Sequence, residues 1–272
     1  APRHGQFSSI FSQLLKIFSR SDFERAVSKH NAQRAAKGFD CWTQFVAMLF
    51  CQVGRAHSLR EICGGLASVE GKLNHLGVGN APARSTLSYA NAHRPCALFE
   101  EVIGQLLERC RSLAAPKPFR FKNKLYSLDA TVIDLCVSVF DWAKFRRTKG
   151  AIKLHFGLDA DGYLPVFMDM TKGKFHESTW AKALSLPSGS TVVFDRGFND
   201  YSWYQSLTDH HVVFVTRLKS NAVFDPLERR RGRKGQGICG DRRIRLKDMA
   251  SDLRIVDFTD STTGKTYRFL TN

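Results

Sequence analysis

The period of the apolar residues changes near residue 120, and this change limits the fold more than any single motif. Before it, Phe7, Ile10, Phe11, Leu14, Leu15 and Phe18 recur at three and four, the spacing of a helix with one buried face. Ser21 with Glu24 and Ser58 with Glu61 have the spacing of capping boxes. Asp40 is placed to cap an apolar helix from about Trp42 to Val53. Ala81-Pro82 breaks the chain before a helix over 84–94, a further helix covers 98–113, and Ala114–Pro118 reads as a linker.

After residue 120 the runs are shorter. Lys124 to Ala130 reads as a strand that ends in Asp129. Residues 151–158 and 163–170 flank an Asp-Gly turn, a hairpin signal. A helix over 177–186 follows, then a buried strand, Thr191–Phe194, that runs into Asp195. Asn199-Asp200 caps a helix over 201–210, and 212–218 is another strand. A hairpin followed by crossover helices predicts a mixed α/β sheet preceded by an all-α N-terminal domain. The expected domains are 1–117 and 118–272, with a basic insertion over about 220–272. Between Glu228 and Lys247 there are nine Lys or Arg against two acidic residues; this stretch reads either as a solvated loop or as a phosphate-contacting insertion. Strand character returns at 253–258 and 267–270.

Several function classes drop out. The longest apolar run, Phe45 to Val53, falls short of the roughly 20 residues that span a bilayer, so no membrane partner is expected. The first residues lack a charged-then-apolar leader, so no secretory signal is expected. Seven cysteines contain no C-x-x-C pair, which predicts small core residues in a reducing compartment rather than disulfides or zinc. The formal charge of +16 points to nucleic acid, with a basic protein lacking any polyanionic partner as the alternative.

Two strands of the second half end in a carboxylate, Asp129 in Y-S-L-D-A-T and Asp195 in V-V-F-D-R-G-F. An Asp at a strand end is usually a turn or cap residue. If these strands are parallel neighbours, however, both carboxylates emerge at one sheet edge, where ligands of α/β sheets commonly bind. Bare carboxylates repel unless a cation joins them, and a hard divalent ion such as Mg²⁺ suits oxygen ligands shared with phosphates. Glu177 reads as a helix N-terminal charge, and His155 as a structural or phosphate-facing histidine. Asp134 has the wrong strand parity to join Asp129. Arg196 is placed to hold a phosphate or to pair with a neighbouring acid, and Arg217 and Lys219 share one parity. In the first half, 58–66 and 84–94 fit a helix-turn-helix-like unit that would turn Arg84, Ser85, Ser88 and Asn91 toward DNA, or simple three-helix packing. Leu87, Tyr89 and Ala90 read as packing residues.

Nearly the whole chain resembles the bacterial DDE transposases of the insertion sequence four family. The resemblance rests on F-S-Q-L-L-K-I-F, C-W-T-Q-F-V-A-M-L-F-C-Q, S-L-R-E-I-C-G-G-L and R-S-T-L-S-Y-A-N-A-H-R. It continues through Y-S-L-D-A-T-V-I-D-L, R-R-T-K-G-A-I-K-L-H, V-V-F-D-R-G-F-N-D-Y and F-V-T-R-L-K-S-N-A. The resemblance implies an RNase H-like catalytic fold behind a helical domain that helps bind transposon ends. It further implies Mg²⁺-dependent (or Mn²⁺-dependent) cleavage and strand transfer of double-stranded DNA, terminal inverted repeats and target, by a homodimer in the bacterial cytoplasm at the nucleoid. Asp129 and Asp195 match the first two metal-binding aspartates. The family's third acid, a Glu in Y-x-x-R-x-x-x-E, has no counterpart in this sequence. The chain is therefore expected to be truncated before that helix and to bind DNA while cleaving little. A non-catalytic DNA-binding protein and a metal-dependent phosphoesterase for small substrates are the alternatives; steep loss of affinity with salt separates the first from the second.

Overall fold

The computed structural model describes residues 9–34, 38–69, 73–113, 122–135, 144–146, 149–230 and 237–272. The chain divides into two units, 1–113 and 114–272. Phe7, the Ala114–Pro118 linker and the expected boundary at 117 lie outside the described residues.

The first unit is helical: α1 (Ile10–Leu15), α2 (Arg20–Lys29), α3 (Cys41–Val53), α4 (Leu59–Ala67), α5 (Arg84–His93) and α6 (Ala97–Leu113), with a 3₁₀ turn at Asn74–Leu76. The centre is α3, whose residues Cys41 to Ala47 are all buried. Asp40 caps it, its Oδ1 accepting from the Thr43 amide at 2.7 Å. Phe23, Trp42 and Phe45 pack with ring centroids 5.2 to 5.5 Å apart, and burying each such ring contributes about 1.5–3 kcal/mol. The Trp42 indole donates to the Leu76 carbonyl at 2.8 Å. Gly77 ends that turn at φ +73°, a conformation that favours glycine.

The capping signals are partly shifted. At α4 the Ser58 Oγ accepts from the Glu61 amide at 3.2 Å, and Glu61 reaches back to the His57 amide at 2.9 Å. At α2 the cap is Ser19, not Ser21: its Oγ accepts from the Asp22 amide, and Glu24 pairs with Arg20 instead. Two capping signals overlap in S-R-S-D-F-E, and the earlier start brings Asp22 into the first turn, where its charge suits the helix dipole.

The second unit is a mixed sheet, ten-stranded among the described residues, with helices, the RNase H-like α/β class expected. Its elements are β1 (Leu125–Leu135), β2 (Lys144–Arg146), β3 (Lys149–Asp159), β4 (Leu164–Lys172), α7 (Glu177–Lys182), β5 (Thr191–Phe194), α8 (Tyr201–Asp209), β6 (Val213–Arg217), β7 (Phe224–Arg229), β8 (Ile238–Leu246), β9 (Leu253–Thr259) and β10 (Thr266–Thr271). The strand order is β2-β3-β1-β5-β6-β10-β9-β8-β7, with β4 also on β3. β1, β5 and β6 are parallel; β3 and β10 join them antiparallel. One face of the central strands buries Tyr126, Leu128, Val192, Phe194 and Phe214 against Trp180 of α7 and Trp203, Tyr204 and Leu207 of α8. On the alternate positions Val193 and Val213 are exposed.

Three local expectations are corrected and one is borne out. β1 does not end at Asp129; antiparallel pairing with β3 carries it on to Leu135. The hairpin at the Asp-Gly turn forms as expected, β3 pairing antiparallel with β4. Asp159 organises it, taking the Asp161 amide on its side chain and the Tyr163 amide on its carbonyl, and the left-handed residue is Tyr163 (φ +52°). α7 stops at Lys182, and Leu184 and Leu186 reach the core from irregular backbone ahead of Pro187, which disfavours helix at the residue before it. Finally, the basic stretch forms β7 and β8 rather than a loop, with 231–236 outside the described residues. Three of its described arginines, Arg242, Arg243 and Arg245, pair with acids, as do Arg254 and Arg268 on the neighbouring strands. Arg242 and Arg268 hold Asp257 at 2.5 and 2.7 Å, Arg254 holds Asp241, and Arg243 and Arg245 hold Asp252.

The cysteine expectation also changes. The six described cysteines are free, but Cys41 alone among them is buried, and Cys96 and Cys239 are exposed. Cys136 lies outside the described residues.

Candidate active site

β1 and β5 pair in parallel from Leu125–Thr191 to Leu128–Phe194. The next residue on each is an aspartate, so Asp129 and Asp195 stand opposite each other at the carboxyl end of the pair. Parity sets their side: Leu128 and Phe194 point into the helix-covered core, and both aspartates are exposed on the alternate positions. Asp129 Oδ1 accepts from the Ala130 amide at 2.8 Å, and Asp195 Oδ1 from the Gly197 amide at 2.8 Å. Each bond fixes one oxygen and leaves Oδ2 without a hydrogen-bond partner among the described residues.

This donor set suits a hard divalent cation. Both groups are carboxylates, they share one edge, and each offers an oxygen outward. The set is also incomplete, because among the described residues no three His, Cys, Asp or Glu converge to hold a metal. Asp134 lies further along β1, opposite Ala151.

Cations flank the pair on one side. Arg196 follows Asp195 in a 3₁₀ turn, Arg196–Phe198. With Arg217, Lys219, Tyr267 and Arg268 it lines a cleft of about 360 Å³. The structure therefore brings together three residues singled out for DNA, Arg196, Arg217 and Lys219, and adds Tyr267, over whose ring Arg217 lies at 5.9 Å. None of the three forms an ion pair among the described residues, whereas Arg268 is held by Asp257. Tyr267 and Arg268 were not predicted: they lie far along the chain, and only the β6–β10 pairing brings them here.

His155 is buried on β3. Its Nε2 lies 2.8 Å from the Thr171 hydroxyl, its ring stacks on Trp180 at 4.9 Å, and Nδ1 lacks a partner among the described residues. Burial, with help from the Lys153 charge, pushes its pKa below the usual imidazole value. It is a neutral structural residue and does not face phosphate. Glu177 opens α7 as expected, but it is also paired with Lys153 at 3.0 Å, both largely buried.

In the helical unit the two helices of the helix-turn-helix-like reading form as α4 and α5, with a longer connection than that motif has. Residues 68–83, including the 3₁₀ turn, separate α4 from α5, where a helix-turn-helix has a turn of about 3–4 residues. Arg84, Ser85 and Ser88 are exposed on α5. Asn91 is exposed as well, but its side chain is engaged, accepting from Gln44 at 2.7 Å and donating to the Met48 sulfur. Leu87 and Ala90 are buried as expected. Tyr89 is not: it is 66% exposed and stacks on His93 at 3.8 Å. Ser85, Tyr89 and His93 line a groove of about 770 Å³ with Arg34, Phe39 and Arg94. Helical spacing of i, i+4 and i+8 marks that face in the sequence, but an apolar count assigns the tyrosine to the core.

Among the described residues no helix is long and apolar enough to cross a membrane. Residues 120–267 match the family model described as a transposase DDE domain, which contains both aspartates and most of the cationic cleft. Residues 6–79 match a domain of unknown function, DUF4372. A Sinorhizobium fredii (strain NBRC 101917 / NGR234) protein named "Putative transposase y4zB" is 29% identical over 191 residues, covering 68% of this chain and 52% of that protein. The chain thus spans about half the length of this curated relative.

Proposed function

This chain belongs to the transposase DDE domain family, and from that premise we propose that it acts in DNA transposition, with Asp129 and Asp195 as the carboxylates that hold a divalent ion at the scissile phosphate. The register of the two aspartates, one step beyond the Leu128–Phe194 pair, carries this reading. The ion is Mg²⁺, with Mn²⁺ as a substitute. When bound it would supply Lewis acidity to the attacking and leaving oxygens of a phosphodiester.

The chain's own groups do the rest. Arg196 lies next to Asp195 and presents a planar fork suited to phosphate oxygens, and Arg217 and Lys219 extend the cationic surface along the flanking backbone. The DNA is double-stranded: the terminal inverted repeats of the element and its target. In the helical unit Arg84, Ser85 and Ser88 face it, while Asn91, also exposed, is tied to Gln44 and Met48. Two ends must be joined, so the working assembly is a homodimer at the nucleoid. These assignments follow the insertion sequence four resemblance.

One observation favours a second reading, a DNA-binding protein without cleavage by this polypeptide: among the described residues two carboxylates converge and not three. One experiment tests both. Incubating the chain with supercoiled plasmid carrying the element's ends and Mn²⁺ should give salt-sensitive binding. Nicking that Asp129→Asn and Asp195→Asn each remove supports the first reading; binding without nicking supports the second. Binding insensitive to salt would overturn both.

A further inference from the structure

The turn after Asp195 is closed by a residue distant in sequence. The Gly197 amide donates to Asp195 Oδ1, which fixes the aspartate's rotamer. On the other side of the same glycine sits a second carboxylate. A Cβ on Gly197 would lie 1.9 Å from Glu177 Oε2 and 3.0 Å from Asp195 Oδ1. Gly197 does not have a left-handed φ, so glycine is required here for space and not for backbone conformation. Glu177 is itself held. Its Oε1 accepts from Lys153 Nζ at 3.0 Å, with side-chain exposures of only 13% for Lys153 and 22% for Glu177. Lys153 comes from β3, opposite Val132 of β1, the strand that carries Asp129. α7 packs directly on the Arg196–Phe198 turn.

We infer that Glu177 is a positioning residue for Asp195: anchored by Lys153, its carboxylate closes against Gly197 and holds the Asp195–Gly197 turn in the shape that presents the Asp195 carboxylate. The inference rests on the proposed role of Asp195 in holding a divalent ion. Glu177 is not itself a ligand in this arrangement, since its Oε1 is committed to Lys153 and it does not join Asp129 and Asp195 in a metal-holding group. A neighbour that fixes a ligand's orientation typically changes metal affinity about 10–100-fold when removed.

The test measures Mn²⁺ affinity of the full chain, without DNA, from the electron paramagnetic resonance signal of free Mn²⁺. Glu177→Ala should weaken binding by roughly tenfold or more. Glu177→Gln, whose amide oxygen still accepts from Lys153 and still fills the space beside Gly197, should stay within about threefold of wild type by the same argument. Gly197→Ala should also lose affinity, because its methyl group displaces the Glu177 carboxylate and crowds Asp195 Oδ1; if Glu177→Ala does not fold, Lys153→Met, which frees Glu177 Oε1 and leaves the Asp195 turn itself untouched, carries the test. Asp195→Asn separates the two layers of the argument. If Asp195→Asn loses affinity while Glu177→Ala and Gly197→Ala keep it, the positioning role is overturned. If Glu177→Gln loses as much as Glu177→Ala, Glu177 acts through its charge, and the positioning role is again overturned. If Asp129→Asn and Asp195→Asn both bind Mn²⁺ as wild type does, the metal reading falls first and this inference with it.

Discussion

Asp129 and Asp195 are cross-strand neighbours, each the first residue beyond the last parallel pair of β1 and β5. Like charges placed opposite each other on adjacent strands destabilise by about 0.2–1 kcal/mol, so a metal site of this form lowers the stability of the protein that carries it. Asp129→Asn and Asp195→Asn keep the amide-accepting oxygen and remove the repulsion. Each should raise the metal-free melting temperature by about 1–3 °C, and the double variant should gain little more than either, because one substitution already ends the repulsion. Mn²⁺ should then stabilise the wild type and not the variants. Differential scanning calorimetry with and without Mn²⁺ checks this; a fall in the metal-free melting temperature of both single variants contradicts it.

The cations of the second unit fall into two groups with different expected behaviour. Arg196, Arg217 and Lys219 line one cleft without an ion-pair partner among the described residues, whereas Arg242 is held by Asp257. Alanine at each of the first three should reduce the slope of log affinity against log salt for duplex DNA by about 1. Arg242→Ala should leave that slope nearly unchanged and lower stability instead, since it takes one of two guanidinium partners from a mostly buried Asp257. Fluorescence anisotropy across a salt series distinguishes the groups. Equal slope changes for Arg242 and Arg196 would mean that the ion pairs open on DNA.

The carboxylate pair was readable from sequence because it needs only two short apolar strands that end alike. The parallel arrangement was a condition in that reading, and the sheet supplies it. The contact of Glu177 with Gly197 was not readable, because it depends on how α7 lies on the turn, and Glu177 alone looks like any first-turn acid. The basic stretch was readable only in part, for a related reason. Charge density left a solvated loop and a phosphate-contacting insertion both open, because Asp252 and Asp257, which hold Arg242, Arg243 and Arg245, become their neighbours only once β8 and β9 pair. Tyr89 was misplaced because helical spacing says which residues share a face, while packing within the helical unit decides which face is covered.

Asn91, though exposed, is expected to matter for stability through the buried Gln44 it holds. It accepts from Gln44, which is 2% exposed and whose other amide atom receives Arg94 at 2.9 Å. Asn91→Ala leaves a buried donor unsatisfied, at a cost of about 1–3 kcal/mol. Its urea midpoint should fall while duplex-DNA affinity at a temperature where it is folded stays within about twofold of wild type, as expected for a residue making no contact with phosphate or base. Arg84→Ala should do the reverse. A selective loss of DNA affinity in Asn91→Ala at unchanged stability would return this residue to the DNA-facing surface.

Acidification should destabilise the second unit through His155. Burial is the main cause of its depressed pKa and the Lys153 charge adds to it. The unfolded chain takes up a proton near the ordinary value of 6.5, but the folded chain does so only at lower pH. Between those two values the unfolded state binds more protons, so stability falls as the pH drops. The full contribution is present above about pH 6.5, and the loss levels off below the folded pKa. One proton limits the slope to about 1.4 kcal/mol per pH unit. Urea unfolding of wild type and His155→Gln, followed by tryptophan fluorescence from pH 7.5 to 5, isolates the term. The variant starts less stable, having lost the stack on Trp180, but its stability should decline less steeply. Parallel declines would assign the acid sensitivity to other groups and mean that His155 takes up its proton at the same pH in both states.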